Sequence, residues 1–204
     1  KPELWWSAHV AGDAAPLLDR LELAVASLLA AKPPFGVAGL LDAVYSRFAG
    51  VLTPDADALA ACLASYARPD DAGGWQLREE DAWASRQVEV SYMRQCVQDL
   101  GARLGLKVHT GRFRDCALRA SDVVWESDTE APQLLRVVCD TVSSHLELEP
   151  ALAAHGPQCY LVLPGGRSSL VMFRLRTSGL WREAAQRYGW RFMKYRHVRR
   201  LMRE

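Results

Sequence analysis

The chain has 204 residues, half of them hydrophobic and 24% charged, which excludes a disordered or collagen-like polymer and suffices for one large domain or two small ones. No apolar run approaches the roughly 18 residues of a membrane-spanning helix, and the opening Lys1-Pro2-Glu3-Leu4-Trp5-Trp6 lacks the apolar core of a secretion signal. A cytoplasmic protein without a membrane partner is expected, starting either as a fragment of a longer chain or at a trimmed end.

The net charge of +1 conceals a division. Residues 1–166 carry 14 Lys/Arg against 22 Asp/Glu, whereas residues 167–204 carry 11 against 2. Of the basic residues 21 are Arg, whose planar fork of donors matches phosphate oxygens. Charge segregated in this way bears on partners rather than fold.

In chain order, Leu17, Leu18, Leu21, Val25, Leu28 and Leu29 predict an amphipathic helix over 14–31, ended by Pro33-Pro34. Leu40, Leu41, Val44, Tyr45 and Phe48 predict a second over 37–49. Thr53-Pro54-Asp55 predicts a third, with Thr53 as N-cap and Pro54 at the first helical position, running to about Ala67. A Pro-Asp-Asp-Ala-Gly-Gly turn and a short strand from Trp75 to Arg78 complete a winged-helix order. The third helix would be the groove reader of such a fold. It carries Asp55 and Asp57 and no basic residue before Arg68, which favours packing or partner docking.

A long helix is expected over 80–104, then strands at 106–110, 122–126, 134–140 and 159–163, with a helical stretch around 143–154. Residues 169–175 read as helix or strand, 180–188 as helix, 190–195 as strand and 197–202 as a closing helical turn. Apolar residues on both faces of 190–195 suggest a strand inside a sheet.

The five cysteines lie 20 or more residues apart, which excludes a disulfide framework and a CxxC zinc half-site and predicts reduced, buried thiols. The five histidines show no HxxxH or HExxH spacing, so zinc hydrolysis is not expected. Pro164-Gly165-Gly166-Arg167-Ser168-Ser169 lacks the GK[ST] ending of a phosphate loop and reads as a strand-to-helix turn.

Certain segments resemble the restriction-endonuclease-like (PD-(D/E)XK-type) superfamily. Gln87-Val88-Glu89-Val90 is similar to the helix that carries a helper acid. Ser121-Asp122-Val123-Val124-Trp125-Glu126 is similar to the strand whose leading Asp binds metal, and Leu134 to Thr141 to the strand that follows it. Tyr160–Pro164 and Trp190–Tyr195 resemble later core strands. The resemblance covers residues 85–204 and implies an α/β (mixed) fold, with a winged-helix-like domain at 1–80 and a restriction-endonuclease-like domain at 81–204. The pattern departs where it matters. The second acid of the family falls at Arg136 or Val138, and no lysine follows two positions later.

Two functions from different classes follow, and a third stands beside them. The first is a non-catalytic DNA-binding module of a larger bacterial DNA-modification, repair or phage-defence protein. Arg167, Arg174, Arg176, Arg191, Lys194, Arg196, Arg199 and Arg200 would hold phosphates, with no cofactor. The second is a Mg²⁺-dependent DNA endonuclease, with Asp122 and Asp140 on the metal and Glu89 or Glu126 assisting. The third is a protein-interaction module docking through the acidic helices.

Overall fold

The computed structural model describes residues 17–31, 36–48, 53–71, 73–138, 146 and 148–204. Three helices open it. α1 (Leu17–Ala31) buries Leu21, Val25 and Leu29, one stripe at four-residue spacing. α2 (Val37–Arg47) buries Leu40 and Val44, and Phe48 at its end is buried with them. α3 (Ala56–Tyr66) starts later than the sequence suggests. Asp55 rather than Thr53 is the cap, its carboxylate accepting the Asp57 N–H at 3.2 Å, so Pro54 precedes the cap.

A strand not expected from the sequence, β1 (Ala67–Pro69), leaves α3 directly and pairs antiparallel with β2 (Trp75–Leu77). Between them the Asp70 N–H donates to the Gly74 carbonyl at 2.9 Å and closes the turn. A 3-10 turn at Glu79–Asp81 leads into α4 (Trp83–Arg103).

The sheet comes next: β3 (Lys107–His109), β6 (Asp122–Glu126), β7 (Gln133–Val137), β8 (Gln158–Leu163) and β9 (Arg191–Lys194) lie side by side in that order. An unforeseen hairpin, β4 (Arg112–Phe113) and β5 (Cys116–Ala117), stands between β3 and β6. β3, β6 and β7 are antiparallel, while β7, β8 and β9 are parallel. The crossover to β8 contains α5 (Pro150–Ala153), the described part of the helical stretch expected over 143–154. The crossover to β9 contains α6 (Arg167–Thr177) and α7 (Gly179–Arg187), and α8 (Tyr195–Leu201) closes the chain.

Strand alternation divides the sheet into two cores. Val124, Leu134, Leu161 and Leu163 face α1, α3, α6 and α7. Val123, Trp125, Leu135, Val137 and Val162 face Met93, Val97 and Leu100 of α4 and Val198 of α8. The expectation that 190–195 is interior to the sheet is corrected: β9 is an edge strand, its residues exposed or half-buried. Met193 on one face packs against the α4–α8 core, while Phe192 on the other is 37% exposed. The 80/81 boundary falls just before α4, yet Leu21, Val25, Leu59 and Cys62 share one packed cluster with Leu161, Phe173 and Trp181. Among the described residues no helix is long and apolar enough to cross a membrane.

Two glycines make the packing testable. A Cβ on Gly101 of α4 would stand 2.5 Å from Trp125 Nε1 and 2.9 Å from Val108 Cγ2, whereas one on Gly39 of α2 would meet nothing within 4 Å. Trp125 is held there by donation to the Val97 carbonyl at 3.1 Å. Gly101→Ala is therefore expected to lose ~1–3 kcal/mol through overpacking, and Gly39→Ala to gain ~0.5–1 kcal/mol of helix propensity. Urea midpoints of the two variants check both signs.

Candidate nucleic-acid interface

Asp122, Glu126 and Glu89, the described carboxylates of the expected metal site, do not come together. Asp122 opens β6 and lies directly opposite Arg136 of β7. Arg136 Nε donates to Asp122 Oδ1 at 2.6 Å and its Nη2 to Oδ2 at 2.9 Å, and both residues are 1% exposed. The guanidinium also lies over the Trp190 ring. A cation is held by carboxylate charge, and here a buried bidentate guanidinium fork already balances that of Asp122. Where the resemblance expects a second acid there is an internal counterion, so Asp122 does not fit a Mg²⁺ cradle.

The other acids are elsewhere. Glu126 shares the sheet face of Asp122, but four residues of strand separate them by about 13 Å. Its Oε2 is 3.0 Å from His109 Nε2, and its Oε1 accepts from Arg114 Nη2 at 3.0 Å. Glu89 lies on α4, against the opposite face of the sheet, paired with Arg86 and Arg199. Asp140 lies outside the described residues. Among the described residues no three His, Cys, Asp or Glu side chains gather closely enough to share a metal ion. Cys62, Cys96, Cys116 and Cys159 are buried and free, as the spacing predicts, and Cys139 lies outside the described residues. Burial pushes the thiols of Cys62 and Cys159 up to about 12, so they stay protonated.

The basic segment divides into inward and outward members. Arg174, 2% exposed, donates through Nη2 to Asp19 Oδ1 at 2.8 Å and Glu22 Oε2 at 2.9 Å. Glu22 also accepts from the Tyr66 hydroxyl at 2.6 Å. Arg167, 4% exposed, lies 3.3 Å over the Tyr66 ring, donates to the Ser65 carbonyl at 2.9 Å and pairs with Asp81. Asp81 pairs in turn with Arg86, Arg86 with Glu89, and Glu89 with Arg199. The assignment of Arg167 and Arg174 to phosphate contact is thereby corrected. Their donors are spent on carboxylates of the helical layer, and uncovering them would leave buried charges unpaired. Gly166 belongs to the same packing, since a Cβ there would stand 2.7 Å from the Ser65 carbonyl oxygen. The glycine turn after β8 thus admits α3 rather than a phosphate.

The outward members are different. Arg176, Arg191 and Arg196 are exposed and Lys194 is half-buried, and none of the four has a carboxylate partner among the described residues. Arg200 is paired only with Glu204 at 2.9 Å, an exposed contact of little energetic weight. Arg199, 40% exposed, is anchored by Glu89. Alternation in β9 sends Phe192 and Lys194 toward α6, while Arg191 reaches Tyr160 on the other face, 3.2 Å from its hydroxyl.

Neither a known protein family, nor a curated protein, nor a solved structure matches the chain. The site is accordingly described by its own geometry. Ser168, Ser169, Met172 and Arg176 form one face of α6, and with Phe192, Lys194 and His197 they line a groove of about 640 Å³. The groove lies beyond the carboxyl end of β8, where Leu163 forms part of its wall. Sequence reading found its cations from the charge count. It missed Phe192, Met172 and the serines, which only the pairing of β8 with β9 and the crossover through α6 bring together.

Two predictions test these electrostatics. Asp122→Asn removes a buried counterion of Arg136 and is expected to cost ~3–5 kcal/mol, while Asp122→Val with Arg136→Leu recovers most of that; a double-mutant cycle in urea measures it. Donation from Arg114 holds the Glu126 carboxyl below its ordinary range, assisted by His109. Its stabilisation is therefore complete above the ordinary carboxylate pKa and is lost as pH falls through the lowered one. Glu126→Gln is expected to flatten the acid limb of stability against pH, measured by urea midpoints from about pH 7 to about pH 3.

Proposed function

We propose that the chain is a DNA-binding module that grips the phosphate backbone along the rim formed by α6, β9 and α8, within a larger bacterial DNA-modification, repair or phage-defence protein. The observation that carries this reading is the contrast within one basic segment. Arg167 and Arg174 are consumed internally, whereas Arg176, Arg191, Lys194 and Arg196 stand on strand and helix with no carboxylate partner among the described residues. Charges held on rigid elements bind a polyanion at lower entropic cost than charges on a loose tail.

The architecture is in keeping with the sequence resemblance. Three helices and a two-stranded hairpin (α1 to β2) follow the winged-helix order. The succession α4, β3, β6, β7, crossover, β8 follows the order of a restriction-endonuclease-like core. Burial of Ala58, Leu59, Cys62 and Tyr66 on α3 favours a packing role for that helix. A binding rather than a cleaving role is supported by the Asp122–Arg136 pair, which puts a cation of the protein's own where a hydrolase needs a second acid.

Fluorescence anisotropy with a duplex oligonucleotide from about 50 to about 200 mM salt tests the reading. Affinity is expected to fall steeply with salt. Lys194→Gln, Arg196→Gln and Arg176→Gln are each expected to reduce the log–log slope by about one, while Lys107→Gln, on the opposite sheet edge, leaves it unchanged. Absence of DNA retention, duplex or single-stranded, at the lowest salt overturns the proposal, and Mg²⁺-dependent plasmid nicking by the protein overturns its non-catalytic part.

A further inference from the structure

The groove between α6 and β9 combines features that bare phosphate binding does not need. Phe192 and Met172 are 37% and 56% exposed on its walls, an apolar surface beside two cations. Phe192 is backed by Trp181, with ring centroids 6.2 Å apart and planes 18° from parallel, so its ring is braced from behind. Trp181 itself is buried, at 7% exposure. Arg176 stands at the α6 side and Lys194 at the end of β9, both without carboxylate partners among the described residues. Asp57 shares a neighbouring depression with Arg176 but forms no ion pair with it. Ser168, Ser169 and His197 add hydrogen-bonding groups to the walls.

The two halves of this surface select the form of the polyanion. In a duplex the bases are stacked within the helix, so a duplex can offer the rim its phosphates but offers Phe192 nothing. An unpaired nucleotide presents a π-face and a phosphate together, and aromatic platforms beside cations are how single strands are held. The volume of about 640 Å³ lies within the range of small-ligand sites rather than of a surface for a whole double helix.

We infer that this groove binds an unpaired nucleotide segment, its base on Phe192 and its phosphate between Arg176 and Lys194. The inference rests on the phosphate-binding reading above and adds to it a preference for single-stranded or locally opened nucleic acid.

The test compares the intact chain on fluorescein-labelled oligothymidylate of about 12 nucleotides, a length within known single-strand site sizes, with a duplex of equal length at one salt concentration. The single strand is expected to bind more tightly. Phe192→Ala is expected to weaken it roughly 5- to 150-fold, the range of one lost base–aromatic stack, with duplex affinity unchanged. Phe192→Leu keeps an apolar contact with Trp181 and removes only the aromatic face, so it should reproduce the loss without loss of folding, checked by its urea midpoint. Duplex binding equal to or tighter than single-strand binding, or equal weakening of both by Phe192→Leu, overturns the groove assignment and leaves the DNA-binding reading standing. Failure to retain either probe at low salt overturns both.

Discussion

Arg174 and its two carboxylates hold this structure together. Asp19 and Glu22 come from the first helix and Arg174 from the sixth, and all three are at most 4% exposed. Charges so far from water are tolerable only when each finds a partner of good geometry. The position of α1 on α6, and through Tyr66 that of α3, is therefore set more narrowly than apolar packing alone would set it. From Glu22 the contacts continue through Tyr66, Arg167, Asp81, Arg86 and Glu89 to Arg199, so one chain of charged contacts passes from the N-terminal helix to the C-terminal one.

This chain of contacts changes what the charge asymmetry of the sequence means. An acidic first part and a basic last part invite the reading that the last part awaits an external anion. Arg167, Arg174 and Arg199 of that basic part are instead answered by carboxylates of the acidic part of the same molecule. Part of what remains outward is local: a short rim on the edge strand and its neighbouring helices. On the proposed reading a patch of this size would supply a few phosphate contacts, beside the apolar surface of Phe192 and Met172.

Much of the fold was legible because its signals are local. Strand β6 was bounded at Asp122 and Glu126, and β8 and α7 within a residue, by β-branched runs and helical spacing. β1 was missed because Arg68-Pro69 carries no alternation, and the β4–β5 hairpin because two-residue strands have no period to detect. The edge position of β9 was misread because an apolar residue on each face is equally compatible with a helix on one face and a part-exposed groove on the other. The candidate site was legible only in composition. That Asp122 faces Arg136 depends on an antiparallel register, and that Arg174 reaches Asp19 depends on tertiary contact across 155 residues, neither of which leaves a mark at short range.

That separation has a consequence for how the molecule comes into being. Synthesis delivers Asp19 and Glu22 of the N-terminal helices long before the Arg174 guanidinium that they bind in the finished structure. They gain their final seat only when α6 has left the ribosome, and contacts of such long range are won late and slowly. The final seating of α1 on α6 thus waits for a partner 155 residues further along the chain.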